Sequence, residues 1–264
     1  MNVAVCIKQV PASESKIKPN ASGTDIEWEG LSFIVNPYDE FAVEEALRIK
    51  ERLGRGQVTV LTLGPQKAAE ALRTCLAVGA DLAIHVKDPY LEGGDAYSTA
   101  VVLAAAIKRG AYDLILFGKQ AIDDDNGAVG IHVAEMLGLP HVAVINKLEL
   151  FPDAKRAVAH RQIEGAIEVV ETPLPAVFTC QKGLNEPRYA SLPGIMKAKQ
   201  KPLFTQTVAD LGLTAEQVGR SGAKTQITRL SVPPARTTGK MIEGDAAVAA
   251  AELARCLREE IKVL

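Results

Sequence analysis

Residues 112–117 (Tyr112, Asp113, Leu114, Ile115, Leu116 and Phe117) form an apolar run too short for a helix, so they read as a buried strand. The run enters a stretch rich in small residues, Gly118-Lys119-Gln120-Ala121-Ile122-Asp123-Asp124-Asp125-Asn126-Gly127-Ala128-Val129-Gly130. Residues 129–137 then have apolar spacing that suits a helix stopped at Gly138. A helix entered this way starts with unpaired N–H groups, and its dipole favours an anion at that end. Gly127 and Gly130 let the backbone approach a phosphate with no Cβ in the way. The same residues also suit a plain strand-to-helix turn capped by Asp125 or Asn126.

The rest of the first half repeats the alternation. A strand at 2–8 precedes a polar stretch at 11–30 that reads as a long loop or hairpin and holds the single tryptophan, Trp28. Asn36 is an N-cap candidate, with Pro37 at the first helical position and Asp39 and Glu40 in the first turn. Ala42, Val43, Ala46, Leu47 and Ile49 continue as an apolar stripe up to Gly54. The Asn36 side chain has two candidate roles, capping its own helix or reaching a ligand at the strand ends. Strands at 57–63 and 82–86 and helices at 66–78 and 98–108 follow.

Such alternation predicts an α/β fold, a mainly parallel, doubly wound, Rossmann-like sheet covered on both faces. Right-handed crossovers place the loops after Lys8, Leu63 and Phe117 along one sheet edge. Ligands in these sheets bind beyond the strands' carboxyl ends, where strand order reverses. Lys8, Asn36, Leu63 and Gly118 onward are therefore candidates to line one nucleotide crevice. After Pro140, short alternating segments at 143–146, 148–150, 157–162 and 167–170 read as antiparallel hairpins added at the sheet edge. Residues 174–180 read as a strand returning to the core.

Several function classes are disfavoured. The formal net charge of −2 does not suit broad nucleic-acid binding. No apolar run is long enough for membrane insertion, and no basic leader precedes the first strand, so a cytoplasmic protein is expected. Cys6, Cys75, Cys180 and Cys256 form no C-x-x-C pair, which suggests reduced, buried thiols and no metal site. Gly-x-Gly-x-x-Gly, Walker, Gly-x-Ser-x-Gly and His-Glu-x-x-His motifs are all missing, so no catalytic residue is assigned. Asp123, Asp124 and Asp125 would repel a phosphate unless a cation intervened. One is expected to cap the helix and the others to face solvent.

A second stretch, residues 183–197, sets Leu184, Tyr189, Leu192, Ile195 and Met196 among turn residues, with Pro193 between them and lysines behind. This suits either a docking surface with apolar anchors or a loop folded onto its own domain. Its core, Asn185-Glu186-Pro187-Arg188-Tyr189-Ala190-Ser191-Leu192-Pro193-Gly194-Ile195-Met196-Lys197-Ala198-Lys199, resembles the signature of the electron transfer flavoprotein beta subunit. The run from Gly118 to Asp125, and Val35-Asn36-Pro37 with Glu44-Glu45-Ala46, resemble the same family in the same order.

The resemblance covers residues 1–201. It implies a nucleotide-binding domain there, with the docking loop at 183–197, and an arm and helix at 202–264 packed on an alpha subunit in an obligate heterodimer. It implies a structural AMP in this chain and an FAD held mainly by the alpha subunit. Electrons would pass from acyl-CoA or other flavin dehydrogenases to a quinone-linked or other acceptor oxidoreductase. The AMP residues carried across are Cys6, Asn36, Pro37, Tyr38, Asp39, Leu63 and the twelve residues from Gly118 to Val129. Leu184, Tyr189, Leu192, Pro193, Ile195 and Met196 would form the docking surface, with Leu192 inserted into the dehydrogenase. The loop also departs from the family pattern. Gly127, Ala128 and Val129 stand where ordinary members carry Asn, Gln and Thr, leaving only backbone donors. Bifurcating members, which hold a second FAD and oxidise NADH, show Gly where Asp124 stands, Thr for Asn126 and Pro for Ile131. A standalone nucleotide-binding module is the remaining alternative.

Overall fold

A computed structural model describes residues 1–234, Gly239 and residues 241–263. Residues 235–238, 240 and 264 of the expected arm lie outside the described residues. The chain divides into two compact units, residues 1–17 with 27–228, and residues 18–26 with 229–264.

The first unit opens with β1 (Asn2–Cys6), a small antiparallel pair β2 (Gln9–Pro11) and β3 (Phe33–Val35), and helix α1 (Pro37–Leu53). Next come β4 (Gln57–Leu63), α2 (Ala69–Val78), β5 (Leu82–Val86), α3 (Ala96–Lys108), β6 (Leu114–Gly118) and α4 (Val129–Leu137). The second half adds β7 (His141–Phe151), β8 (Arg156–Ile163), β9 (Ala166–Pro173), β10 (Ala176–Cys180), α5 (Leu192–Ala198) and β11 (Leu203–Gln206). Nine strands form one sheet in the order β11-β5-β4-β1-β6-β10-β7-β8-β9. Every pairing from β11 to β7 is parallel, while β8 and β9 are antiparallel additions. This is the expected architecture.

Strand alternation divides the core. Val3 and Val5 of β1 face α1 and α2 in one buried cluster, and Ala4 and Cys6 face α3 and α4 in the other. α1 forms where the apolar stripe predicts it, burying Ala42, Val43, Ala46, Leu47 and Ile49, and it ends at Gly54 with φ 64°. Burying such side chains contributes roughly 1.5–3 kcal/mol for each large one.

Three elements differ from the sequence reading, while the strand expected at 174–180 forms in the core. The segments at 143–146 and 148–150 are one strand, because β7 pairs parallel with β10 and then antiparallel with β8. The changeover passes through Val144, at φ 62°, whose N–H donates to the Thr179 hydroxyl at 2.8 Å. Residues 192–198 form α5 rather than an irregular loop, with Pro193 in its first turn and the Ser191 hydroxyl accepting from Gly194 N–H at 3.2 Å. The expected strand at 174–180 is β10, fully buried between β6 and β7. β11 pairs with β5, so residues 202–228 belong to the first unit.

In the second unit, Leu230 N–H donates to the Gly23 carbonyl, and Asp245 caps the helix Ala246–Arg255. The helix continues through a π-helical turn, Cys256–Ile261. Among the described residues no helix is long and apolar enough to cross a membrane.

Candidate functional site

The chain builds outward from β1 to β4 and β5, then returns to the other side of β1 with β6. Strand order therefore reverses between β1 and β6, and a crevice opens beyond their carboxyl ends. Cys6 lies beside Phe117 in this register, so Lys8 and Gly118 leave the sheet together.

The first turn of α1 closes one wall. Asn36 occupies the N-cap position but makes no side-chain cap bond. Its Nδ2 donates instead to the Gln120 carbonyl at 2.8 Å, and its Oδ1 accepts from Ile122 N–H at 3.2 Å. Of the two roles open to this side chain, capping its own helix is not the one it takes. It fastens the nucleotide-loop candidate to the helix.

Asp39 works the same way from inside. It is 5% exposed; its Oδ2 accepts from Lys8 N–H at 2.6 Å and its Oδ1 from Gly118 N–H at 3.0 Å. One carboxyl thus ties the ends of β1 and β6 together. Burial pushes it up to about 7, against those N–H donors and the Lys8 charge. Gly118 is required by close approach, because a Cβ would strike Asp39 Oδ1 and backbone of Tyr38 and Asp39.

The aspartate run is partly offset in charge from within the protein. Lys8 Nζ lies 2.8 Å from Asp123 Oδ1 and 3.1 Å from Asp124 Oδ2. Burial acts to lower the Lys8 value, but these two carboxylates outweigh it and hold the ammonium above its ordinary range. Gln120 Nε2 donates to Asp125 Oδ1 at 2.6 Å, and Asn126 N–H to Asp124 Oδ1 at 3.1 Å. The expectation of a capping aspartate is therefore corrected. α4 starts after Ala128 with no side-chain cap, which leaves its first-turn N–H groups available to an anion. Asp125 and Gly127 both take positive φ, 51° and 61°, and so turn the loop into that helix.

The remaining site candidates are placed as follows. Tyr38 lies under Lys119, whose Nζ is 4.9 Å from the ring centroid. Cys6 is buried in the α3–α4 cluster, and Leu63 and Val129 pack partly against it. Ala121 and Ile122 are half-buried, and Pro37 opens α1. Burial raises the Cys6, Cys75 and Cys180 thiols well above their usual range, so none is an activated nucleophile.

Sequence reasoning missed Thr62 and His85. The buried Thr62 hydroxyl donates to the Ile7 carbonyl at 2.7 Å, and His85 Nε2 lies 3.0 Å from the Gly64 carbonyl. Burial lowers the His85 value, which favours a neutral imidazole. Both sit near the ends of apolar strands, where a polar residue needs a partner; that was the available signal. In the second unit, Glu252, Cys256 and Glu260 bring ligand-type atoms within 4.8 Å of one another. Arg255 already pairs with both of those carboxylates.

The docking candidates separate. Tyr189, Leu192 and Met196 are strongly exposed, Ile195 less so, while Leu184 packs against the core beneath.

The chain is similar to proteins already characterised. A family model described as an electron transfer flavoprotein domain matches residues 26–211. The chain is 42% identical to an electron transfer flavoprotein subunit beta of Bacillus subtilis, over 100% of each chain. Against the corresponding subunit of Methylophilus methylotrophus it is 37% identical over 98% of each. It is also 43% identical, over 92% of each chain, to the caffeyl-CoA reductase-Etf complex subunit CarD of Acetobacterium woodii.

Proposed function

The chain belongs to the electron transfer flavoprotein family as a beta subunit, and from that premise we propose that it is the nucleotide-holding and docking half of a heterodimeric electron carrier. Beta subunits of this family pair with alpha subunits and carry electrons without catalytic groups of their own.

In this reading a structural AMP occupies the crevice between β1 and β6. The single observation that carries it is the uncapped start of α4 beneath a loop held open by Asn36, Asp39 and Lys8. A phosphate fits that donor set. Its charge meets backbone N–H groups and a helix dipole, and Lys8 offsets part of the negative charge of Asp123 and Asp124. FAD, held mainly by the alpha subunit, supplies the redox chemistry when bound. This chain's residues orient and dock: Tyr189, Leu192, Ile195 and Met196 present the apolar anchors, with Pro193 shaping the helix start. The segment after residue 228 serves as the arm that embraces the alpha subunit. Flavin dehydrogenases, acyl-CoA dehydrogenases among them, are the donors, and an acceptor oxidoreductase is the outlet.

A second reading is a bifurcating subunit with a second FAD in the same crevice. The loop favours it at one point, since Val129 and Gly130 fit the pattern of bifurcating members. The relative named for a caffeyl-CoA reductase complex points the same way, toward residence in a complex with an acyl-CoA reductase. Denaturing release of nucleotides from the purified heterodimer separates the two. One AMP and one FAD support the carrier; two FAD and no AMP overturn it in favour of the bifurcating subunit.

A further inference from the structure

Exposed apolar side chains on a free loop sample many directions, and ordering them on binding costs affinity. Tyr189 is 98% exposed and Leu192 80% exposed, yet the residues just before them are firmly held. Asn185 Nδ2 donates to the Phe41 carbonyl at 3.0 Å and to Glu45 Oε2 at 3.1 Å. Arg188 forks onto Glu44, with Nε 2.8 Å from Oε2 and Nη2 2.9 Å from Oε1. The same guanidinium reaches Glu51 one and a half to two turns further along α1, with Nη2 3.0 Å from Oε2. The far end of the segment is held against α2: Arg73 Nη1 donates to the Ala198 carbonyl at 2.6 Å, and Lys201 Nζ to the Ala80 carbonyl at 2.6 Å.

Glu44 is the informative residue. It sits mid-helix and is only 6% exposed, a place where an apolar side chain would be the simpler solution. A carboxylate buried there requires a charged, hydrogen-bonding partner. Arg188 supplies it bidentately, which fixes orientation as well as distance. Such pairs are better suited to specifying geometry than to adding net stability. α1 itself is rigid, with both faces of its core stripe buried and its first turn fastened to β1 and β6.

We propose that Glu44 and Arg188 are the positioning pair of the docking segment, setting the direction in which Tyr189, Leu192 and Met196 stand out without touching the partner. The proposal rests on the docking reading given above for what the segment does, but its geometry is testable separately. Arg188 is a positioning residue here, and its planar fork matters as much as its charge.

The test uses the purified heterodimer and hydrogen–deuterium exchange of peptides covering residues 189–198, with β1 peptides and the melting temperature as controls. Arg188→Met and Glu44→Gln should each speed exchange in that segment by about tenfold or more while β1 protection is unchanged. Arg188→Lys, which keeps the charge and loses the fork, should fall between them and the wild type. Because Arg188→Met already removes the contact that Glu44→Gln weakens, together with the one to Glu51, the double variant should exchange no more than about twofold faster than Arg188→Met alone. With a substrate-reduced acyl-CoA dehydrogenase as donor, Arg188→Lys should raise KM and leave kcat unchanged. Exchange at wild-type rates in both Arg188→Met and Arg188→Lys, or multiplicative single effects, would overturn the pair. If the exchange results hold but Leu192→Ala transfers electrons at the wild-type rate, the docking reading fails and the positioning pair stands.

Discussion

Substituting Gly118 by alanine tests how tightly the crevice is built. The added Cβ would collide with Asp39 Oδ1 and stand 2.7 Å from the Tyr38 carbonyl carbon and 2.8 Å from Asp39 N. Two of these atoms are backbone in the first turn of α1, so no rotamer change relieves them. Carbon contacts are comfortable at about 3.5–4.0 Å, so the helix start must withdraw by the better part of an ångström. Overpacking of this kind costs about 1–3 kcal/mol. Withdrawal also lengthens the 3.0 Å bond from Gly118 N–H to Asp39. Stranding that buried pair adds about 1–3 kcal/mol. At roughly 2–4 °C per kcal/mol for a chain of this size, the melting temperature should fall by about 4–24 °C.

Calorimetry of the heterodimer, with its nucleotide content measured in parallel, reads both consequences. Gly127→Ala is the control: φ there is 61°, but the nearest atom to a Cβ is the Lys119 carbonyl oxygen at 3.4 Å. It should lose only about 1 kcal/mol, the ordinary cost of a left-handed alanine. Removing the Asp39 side chain in an Asp39→Ala/Gly118→Ala variant should recover little, since the Tyr38 and Asp39 backbone contacts remain. A Gly118→Ala protein that melts within about 1 °C of wild type with full nucleotide content would refute the packing argument.

Two further outcomes follow from the charges around the crevice. Because burial raises Asp39 to about 7, above the ordinary value near 3.9, the native state binds its proton more tightly than the unfolded chain. Its contribution is complete below about pH 4 and is lost as pH rises through about 7, by at most about 1.4 kcal/mol per unit. Urea midpoints of wild type and Asp39→Asn should therefore change their difference between about pH 4 and 7, and a flat difference there would contradict the assignment. Lys8→Met removes the ammonium from Asp123 and Asp124, so on the proposed reading less AMP should remain bound after purification. Adding Asp123→Asn and Asp124→Asn to that chain should restore it. Equal AMP content in Lys8→Met and wild type would show that no counter-charge is needed.

Local patterns carried much of this protein. The strand–helix alternation up to residue 137 follows from apolar periodicity and from turn residues such as Gly54 and Gly138, which act over a few positions. The crevice was legible because strand order and crossover handedness place Lys8, Leu63 and Gly118 at one edge before any coordinate is known. The second half was less legible. β7 read as two strands because Asn146 and Lys147 interrupt the apolar run, and only its pairing first with β10 and then with β8 shows that the strand continues. β11 is short and half-exposed, so its place beside β5 depends on a backbone edge that carries no side-chain signature.

Sequence by itself determined the α/β class, the anchoring of α1 between Pro37 and Gly54, and the family through long, ordered motifs. Those properties depend on residue type and spacing. Only the tertiary structure decided which groups meet: Asn36 with the 120–122 loop, Asp39 with the ends of two strands, Lys8 with Asp123 and Asp124, and Arg188 with Glu44. The partners lie far apart in the chain, from 31 residues for Lys8 and Asp39 to 144 for Glu44 and Arg188. A polar side chain announces that it needs a partner, but which partner it finds depends on how the sheet brings distant strand ends together.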